Sequence, residues 1–206
     1  MHSVTESATA VDARERRRAR VSHQITVQAQ RLTDAHGVDG FTMDDLARAA
    51  GVSRRTLFNY FDSKVDAILG RKPDLPEDAL ATFRAGGPTG DLVTDMAGLA
   101  EMLISSQTLT REEALLSRRV LEVERLLEAS HARMAEWTDE FVALVAEREG
   151  TGEDDPRARI AVAVFIALLD ISLDRFVAGP ADADFATTYA EILTTTRALM
   201  APAAGA

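Results

Sequence analysis

Val21, Ile25, Ala29 and Leu32 stand at i, i+4, i+8 and i+11, the spacing of one buried helical stripe, which predicts a helix from Arg14 onward. Gly37 follows it and supplies the left-handed backbone that ends helices. Thr42 has a hydroxyl suited to cap a second helix, with Asp44 and Asp45 in its first turn and Leu46, Ala47 and Ala50 on its apolar face. Gly51 breaks that helix. Ser53 caps a third, predicted from Arg54 to about Phe61, and Asp62-Ser63 turns the chain into a fourth near Lys64, with Val65, Ile68 and Leu69 inward.

Residues 71–90 hold three of the six prolines and three glycines, the composition of a linker, with a short helix predicted around Glu77–Arg84. Helical patterns follow at about 91–106, 111–121, 123–149, 156–177 and 184–200, broken at Thr108–Thr110, Gly150–Gly152 and Gly179-Pro180. No segment alternates with period two over strand length. The pattern predicts an all-α fold: a mobile tail over 1–13, a small helical head over 14–72, and a larger helical body over 73–206.

Length and composition agree with that division. The 206 residues suit one domain or a small one joined to a larger one, and 46% apolar with 27% charged residues is ordinary globular usage. Absence of cysteine excludes disulfides and thiolate chemistry and fits a reducing, cytoplasmic location. The longest apolar run, Ile160 to Leu169, is ten residues, short of the roughly 18 a membrane span needs, and no secretory signal pattern is seen.

Net charge changes the picture more. A total of −10 argues against a polyanionic partner. Yet residues 1–72 carry +3 and residues 73–206 carry −13, and five arginines cluster at 14, 16, 17, 18 and 20. Of the 23 basic residues 21 are arginine, which GC-rich codon usage explains as simply as selection does.

The helix, tight turn at Gly51 and second short helix opened by Ser53 make a helix-turn-helix candidate. Leu57 and Phe61, at i and i+4, must face the core. At 100° per residue Arg55 and Asn59 lie nearly opposite Leu57. Arginine can fork onto guanine and asparagine onto adenine, so these two suit base reading, flanked by Arg54 and Thr56. Tyr60 sits at the edge of the buried face, where its hydroxyl can reach a phosphate. Lys64 and the helix start at Thr42 are further phosphate candidates.

The stretch Gly40-Phe41-Thr42-Met43-Asp44-Asp45-Leu46-Ala47-Arg48-Ala49-Ala50-Gly51-Val52-Ser53-Arg54-Arg55-Thr56-Leu57-Phe58-Asn59-Tyr60-Phe61-Asp62-Ser63-Lys64 resembles the N-terminal domain of TetR/AcrR-family transcriptional regulators. The resemblance covers roughly residues 15–70. It implies an all-helical homodimer with DNA-binding heads and an effector-binding body, paired through helices about 156–177 and 184–200. By position, it places DNA contacts on Thr42, Arg54, Arg55, Thr56, Asn59, Tyr60 and Lys64, with Ser53 at the head of the recognition helix. One departure is Phe58, where the family usually has tyrosine, so a phosphate bond from that hydroxyl is absent.

Other readings stay open. The arginine cluster, including Arg17 and Arg18, can reach a minor groove or phosphates as an arm, or simply be an exposed basic helix start. In the body, Met96, Met102, Leu103, Met134, Trp137, Phe141 and Phe165 suit either an apolar effector pocket or plain core. Arg119 and His131 can anchor an anionic ligand. Asp170 and Asp174 can meet a cation, an arginine or solvent.

Three classes of function remain to weigh. The first is a repressor released from a palindromic operator by a largely apolar small molecule. The second is a helical ligand-binding or interaction module without specific DNA binding. The third is an enzyme, for which the sequence offers no Walker-type loop, no G-x-S-x-G elbow and no metal-ligand spacing; neither cofactor nor metal is expected.

Overall fold

The computed structural model describes the backbone of residues 3–72, 74–105, 109–152 and 155–200; side chains are described from Arg17 to Leu199 within those ranges. Among the described residues there are ten α-helices and no strand: α1 (Ser3–His36), α2 (Met43–Ala49), α3 (Arg54–Phe58), α4 (Lys64–Leu69), α5 (Glu77–Arg84), α6 (Leu92–Ser105), α7 (Arg111–Val120), α8 (Glu124–Glu149), α9 (Pro156–Ala178) and α10 (Phe185–Met200). The breaker at Thr108 lies outside the described residues, as do the side chains of Arg14 and Arg16. No described helix is long and apolar enough to cross a membrane.

Two boundaries differ from the sequence reading. α1 begins at Ser3 rather than Arg14, where a mobile tail was expected. The stretch holds Ala8, Ala10 and Ala13 with no glycine or proline, so no strong helix breaker interrupts the extension. α3 ends at Phe58 rather than Phe61, because Asn59 caps it and the next turn tightens: Tyr60 N–H donates to Leu57 O at 3.0 Å. Phe61 is still buried.

The chain divides into two compact units. The first is residues 1–72 together with 116–130. Its core gathers Ile25 and Ala29 of α1, Phe41, Leu46 and Ala50, Leu57 and Phe61, and Ala67 and Ile68 of α4. Leu116, Val120 and Leu126 belong to the same cluster, so the end of α7 and the start of α8 complete this core. The expected body over 73–206 did not anticipate that share. Burying each fully enclosed leucine or isoleucine contributes about 1.5–3 kcal/mol.

Polar ties fix the helices around that core. Gln30, buried in α1, donates to Ile68 O at 3.0 Å, and Gln24 donates to Ala50 O at 3.0 Å. Gly51, at φ +65°, closes α2 in a paired cap: its N–H bonds Arg48 O and the Val52 N–H bonds Ala47 O. A side chain in that left-handed conformation would be strained.

The second unit is residues 73–115 and 131–206. Phe83 of α5, Met96 and Leu99 of α6, Val145 of α8, Val162, Phe165 and Leu168 of α9, and Tyr189 and Leu193 of α10 form its core. At one edge Arg148 is buried against Asp95 at 2.5 Å. It also donates to Phe83 O, Gly86 O and Gly87 O, while Thr89 donates to Asp95 through both its N–H and its hydroxyl. This network anchors the end of α5 and the loop over 85–90 to α6 and α8.

Candidate nucleic-acid interface

α3 is short, and its cap fixes where it starts. Ser53 Oγ accepts from the Thr56 N–H at 3.0 Å and shares a second hydrogen bond with the Thr56 hydroxyl at 2.8 Å. Leu57 is wholly buried, and with it in the core Arg55 and Asn59 emerge exposed on the opposite side of the helix. Tyr60 is half-buried and packs against the core of its unit.

Two cations behave differently from their appearance in the sequence. Arg54 reaches back to α2, pairing with Asp44 at 3.0 Å and lying over the Phe58 ring at 5.5 Å. Lys64 is half-buried, and its ammonium donates to Val38 O and Phe41 O, both at 2.6 Å, with the Phe41 ring 4.7 Å away. Those two bonds occupy two of its three N–H donors.

Thr42 opens α2 through a capping box: Asp45 N–H donates to its hydroxyl, and its own N–H and hydroxyl donate to the Asp45 carboxylate. Bonds from the Thr42 hydroxyl and backbone hold the Asp45 carboxyl below the usual range, with Arg48 adding to the effect. The sequence pattern missed the Asp44–Arg54 and Gln24–Ala50 pairings. Their spacings of 10 and 26 residues follow no helical repeat, so no local signal marks them.

The residues offered for an effector differ widely in burial. Phe165 is buried and Phe141 half-buried against the same core. Met102 and Met134 are 48% and 44% exposed, Trp137 is half-buried, and Asp170 and His131 are exposed. Arg119 belongs to the other unit, where it forks onto Asp34 at 3.0 and 3.1 Å, so its guanidinium already has an anion. An open groove of about 590 Å³ runs instead along Arg175, Thr187, Ala190, Glu191, Ile192, Thr194 and Thr195. Among the described residues no group of acidic or histidine side chains is arranged to hold a metal ion.

Comparison with known proteins decides what this head is. A family model described as bacterial regulatory proteins, tetR family, matches residues 25–68. A Mycobacterium tuberculosis protein, provisionally named the mycofactocin biosynthesis transcriptional regulator MftR, is 30% identical over 156 residues, covering 66% of this chain and 69% of that one. The chain belongs to the tetR family. The HTH-type transcriptional regulator TcmR of Streptomyces glaucescens is 26% identical over 163 residues, or 75% of this chain and 72% of TcmR. In fold, the chain is similar to NalD of Pseudomonas aeruginosa, the secondary repressor of the MexAB-OprM multidrug efflux pump. The TM-score is 0.50 at 20% identity, over 85% of this chain and 93% of NalD.

Like its family, this protein is a DNA-binding transcriptional regulator rather than a helical module that has lost its DNA. Members of the family bind DNA and dimerise. Matched residues 25–68 run from the core of α1 to α4 and enclose α2, α3 and the turn between them.

Proposed function

We propose that this regulator is a cytoplasmic repressor that reads a palindromic operator through α3 and leaves it when a small molecule binds the second unit. The observation that carries the reading is the exposed pair Arg55 and Asn59 opposite the buried Leu57. Arg55 is the guanine reader and Asn59 the adenine reader. Thr56 and Arg54 flank them, Ser53 sets the helix start, and Thr42, Tyr60 and the remaining donor of Lys64 hold phosphates. No catalysis, cofactor, metal or membrane enters this account.

Dimerisation through α9 and α10 is supported by an exposed apolar stripe. Ile160 and Ile171 are 60% and 50% exposed and lie on one side of α9 with Ala163 and Ala167, small residues that allow close helix approach. Leu199 of α10 is 80% exposed. A dimer would cover these surfaces and space two heads to read half-sites about 34–36 Å apart, or a multiple of that.

The effector is proposed as largely apolar, since the second unit's core is. Tyr189 offers it one polar anchor: its hydroxyl is buried without a hydrogen-bond partner among the described residues, and burial pushes its pKa up to about 12. Differential binding to the state that does not fit DNA releases the operator.

Selecting genomic fragments bound by the purified protein tests the reading. An inverted repeat shared by the bound fragments is the expected result. Fragments sharing no motif would refute it.

A further inference from the structure

The arginines ahead of the core of the first unit have a definite bearing. Among the described side chains, the buried stripe of α1 starts at Ser22 and continues through Ile25, Ala29 and Thr33. Arg18 lies one turn earlier on the same stripe and is nevertheless exposed, so α1 has already left the core there. Arg17 and Arg20 are exposed too.

Gln24 shows which side of α1 meets the helix-turn-helix. Its side-chain amide donates to the carbonyl of Ala50, the residue that caps α2 and leads through Gly51 and Val52 to Ser53, the cap of α3. Arg20 is four residues before Gln24 and Arg17 seven, so at 100° per residue they stand about 40° and 20° from it around the axis. At about 1.5 Å per residue they lie roughly 6 and 10 Å further along that axis. The row Arg17–Arg20–Gln24 therefore follows the side of α1 on which the turn before α3 lies. Arg18 is off this row.

The backbone here is helix from Ser3 to His36 rather than an extended arm. A helix is about 10–12 Å across and the minor groove about 6 Å wide, so this element does not enter that groove. A guanidinium fork matches phosphate oxygens well. We infer that Arg17 and Arg20 bind backbone phosphates of the DNA bordering the base pairs under α3, making the middle of α1 a helical clamp outside the helix-turn-helix. This rests on the DNA-binding role proposed for α3, and the test separates the two.

The variant Arg17→Ala/Arg20→Ala is compared with wild type on its selected operator and on a random duplex, at several salt concentrations. Alanine keeps the helix intact. Both duplexes should be bound more weakly by the same factor, and the salt slope should fall by about 0.9 per phosphate lost, roughly 1.8 per head. Arg17→Lys/Arg20→Lys should keep the slope, and Arg157→Ala/Arg159→Ala in the second unit should leave it unchanged. An unchanged slope in the first variant, or an equal fall in the second-unit control, overturns the clamp. A wild-type protein that shows no operator preference sinks the reading of α3 as well; preserved preference, lost in Arg55→Ala, with an unaltered arm variant sinks the clamp alone.

Discussion

Arg54 places its guanidinium 3.0 Å from the carboxylate of Asp44, while Arg55 beside it stands exposed with no such tether among the described residues. Two adjacent arginines of one helix thus have different duties. Both members of the Arg54–Asp44 pair are exposed, so the pair adds little stability, of order 0–1 kcal/mol. Its consequence is electrostatic: Asp44 cancels one charge on the face proposed to meet DNA, and the paired Arg54 lies over Phe58.

Asp44→Asn should therefore release Arg54 and remove a repulsive charge. Affinity for random duplex is expected to rise and the salt slope to steepen by about 1 per head, while the ratio of operator to random binding falls. Titrations of both duplexes across salt concentrations measure this. A mutant with wild-type non-specific affinity would mean that Asp44 does not govern Arg54.

Lys64 has a structural task that its sequence position does not reveal. With its ammonium gone, Val38 O and Phe41 O each lose a donor in a half-buried setting. Lys64→Ala should lower stability by about 1–3 kcal/mol, the cost of such unpaired groups, in addition to weakening all DNA sequences alike. Denaturant unfolding without DNA isolates the first effect; an unchanged midpoint would leave only the phosphate role.

The Asp95–Arg148 pair makes the stability of the second unit depend on acid. Burial alone would raise the Asp95 pKa, but bonds from Thr89 and the Arg148 guanidinium outweigh it and hold the carboxyl below its usual value. A lowered folded pKa adds stability above the unfolded value of about 3.9 and loses it as pH falls through the folded value. Asp95→Asn should be less stable than wild type at pH 7, with the gap closing as pH drops below about 4. Arg148→Met, which leaves Asp95 charged and buried, should cost roughly 3–5 kcal/mol at pH 7. Unfolding curves at pH 7 and pH 3 that keep a constant gap between wild type and Asp95→Asn would contradict this linkage.

Much of the fold was legible because local chemistry specified it. Thr42, Ser53 and Ser63 each cap the helix predicted to follow, and Gly51 takes the positive φ that ends α2. The outward face of α3 followed from Leu57 and the helical repeat alone. What was hidden depends on residues far apart in the chain. Nothing near Leu116, Val120 or Leu126 says that they complete the core around Ile25 and Leu57. Arg119 looks like a free anion anchor until Asp34, 85 residues away, is seen to hold it. The apolar run Ile160–Leu169 needed covering on several sides, yet only structure shows which face, that of Ile160, Ala163 and Ala167, is left exposed.

Base reading by α3 through Arg55 has a distinct signature in binding titrations. Wild type and Arg55→Ala are titrated on the selected operator, on operators altered at each base pair in turn, and on random duplex. Arg55→Ala should bind the operator more weakly by about 1–3 kcal/mol, lose its preference at one base pair of each half-site, and bind random DNA nearly as wild type does. Equal weakening on operator and random duplex, with every base preference retained, would mean that Arg55 reads no base.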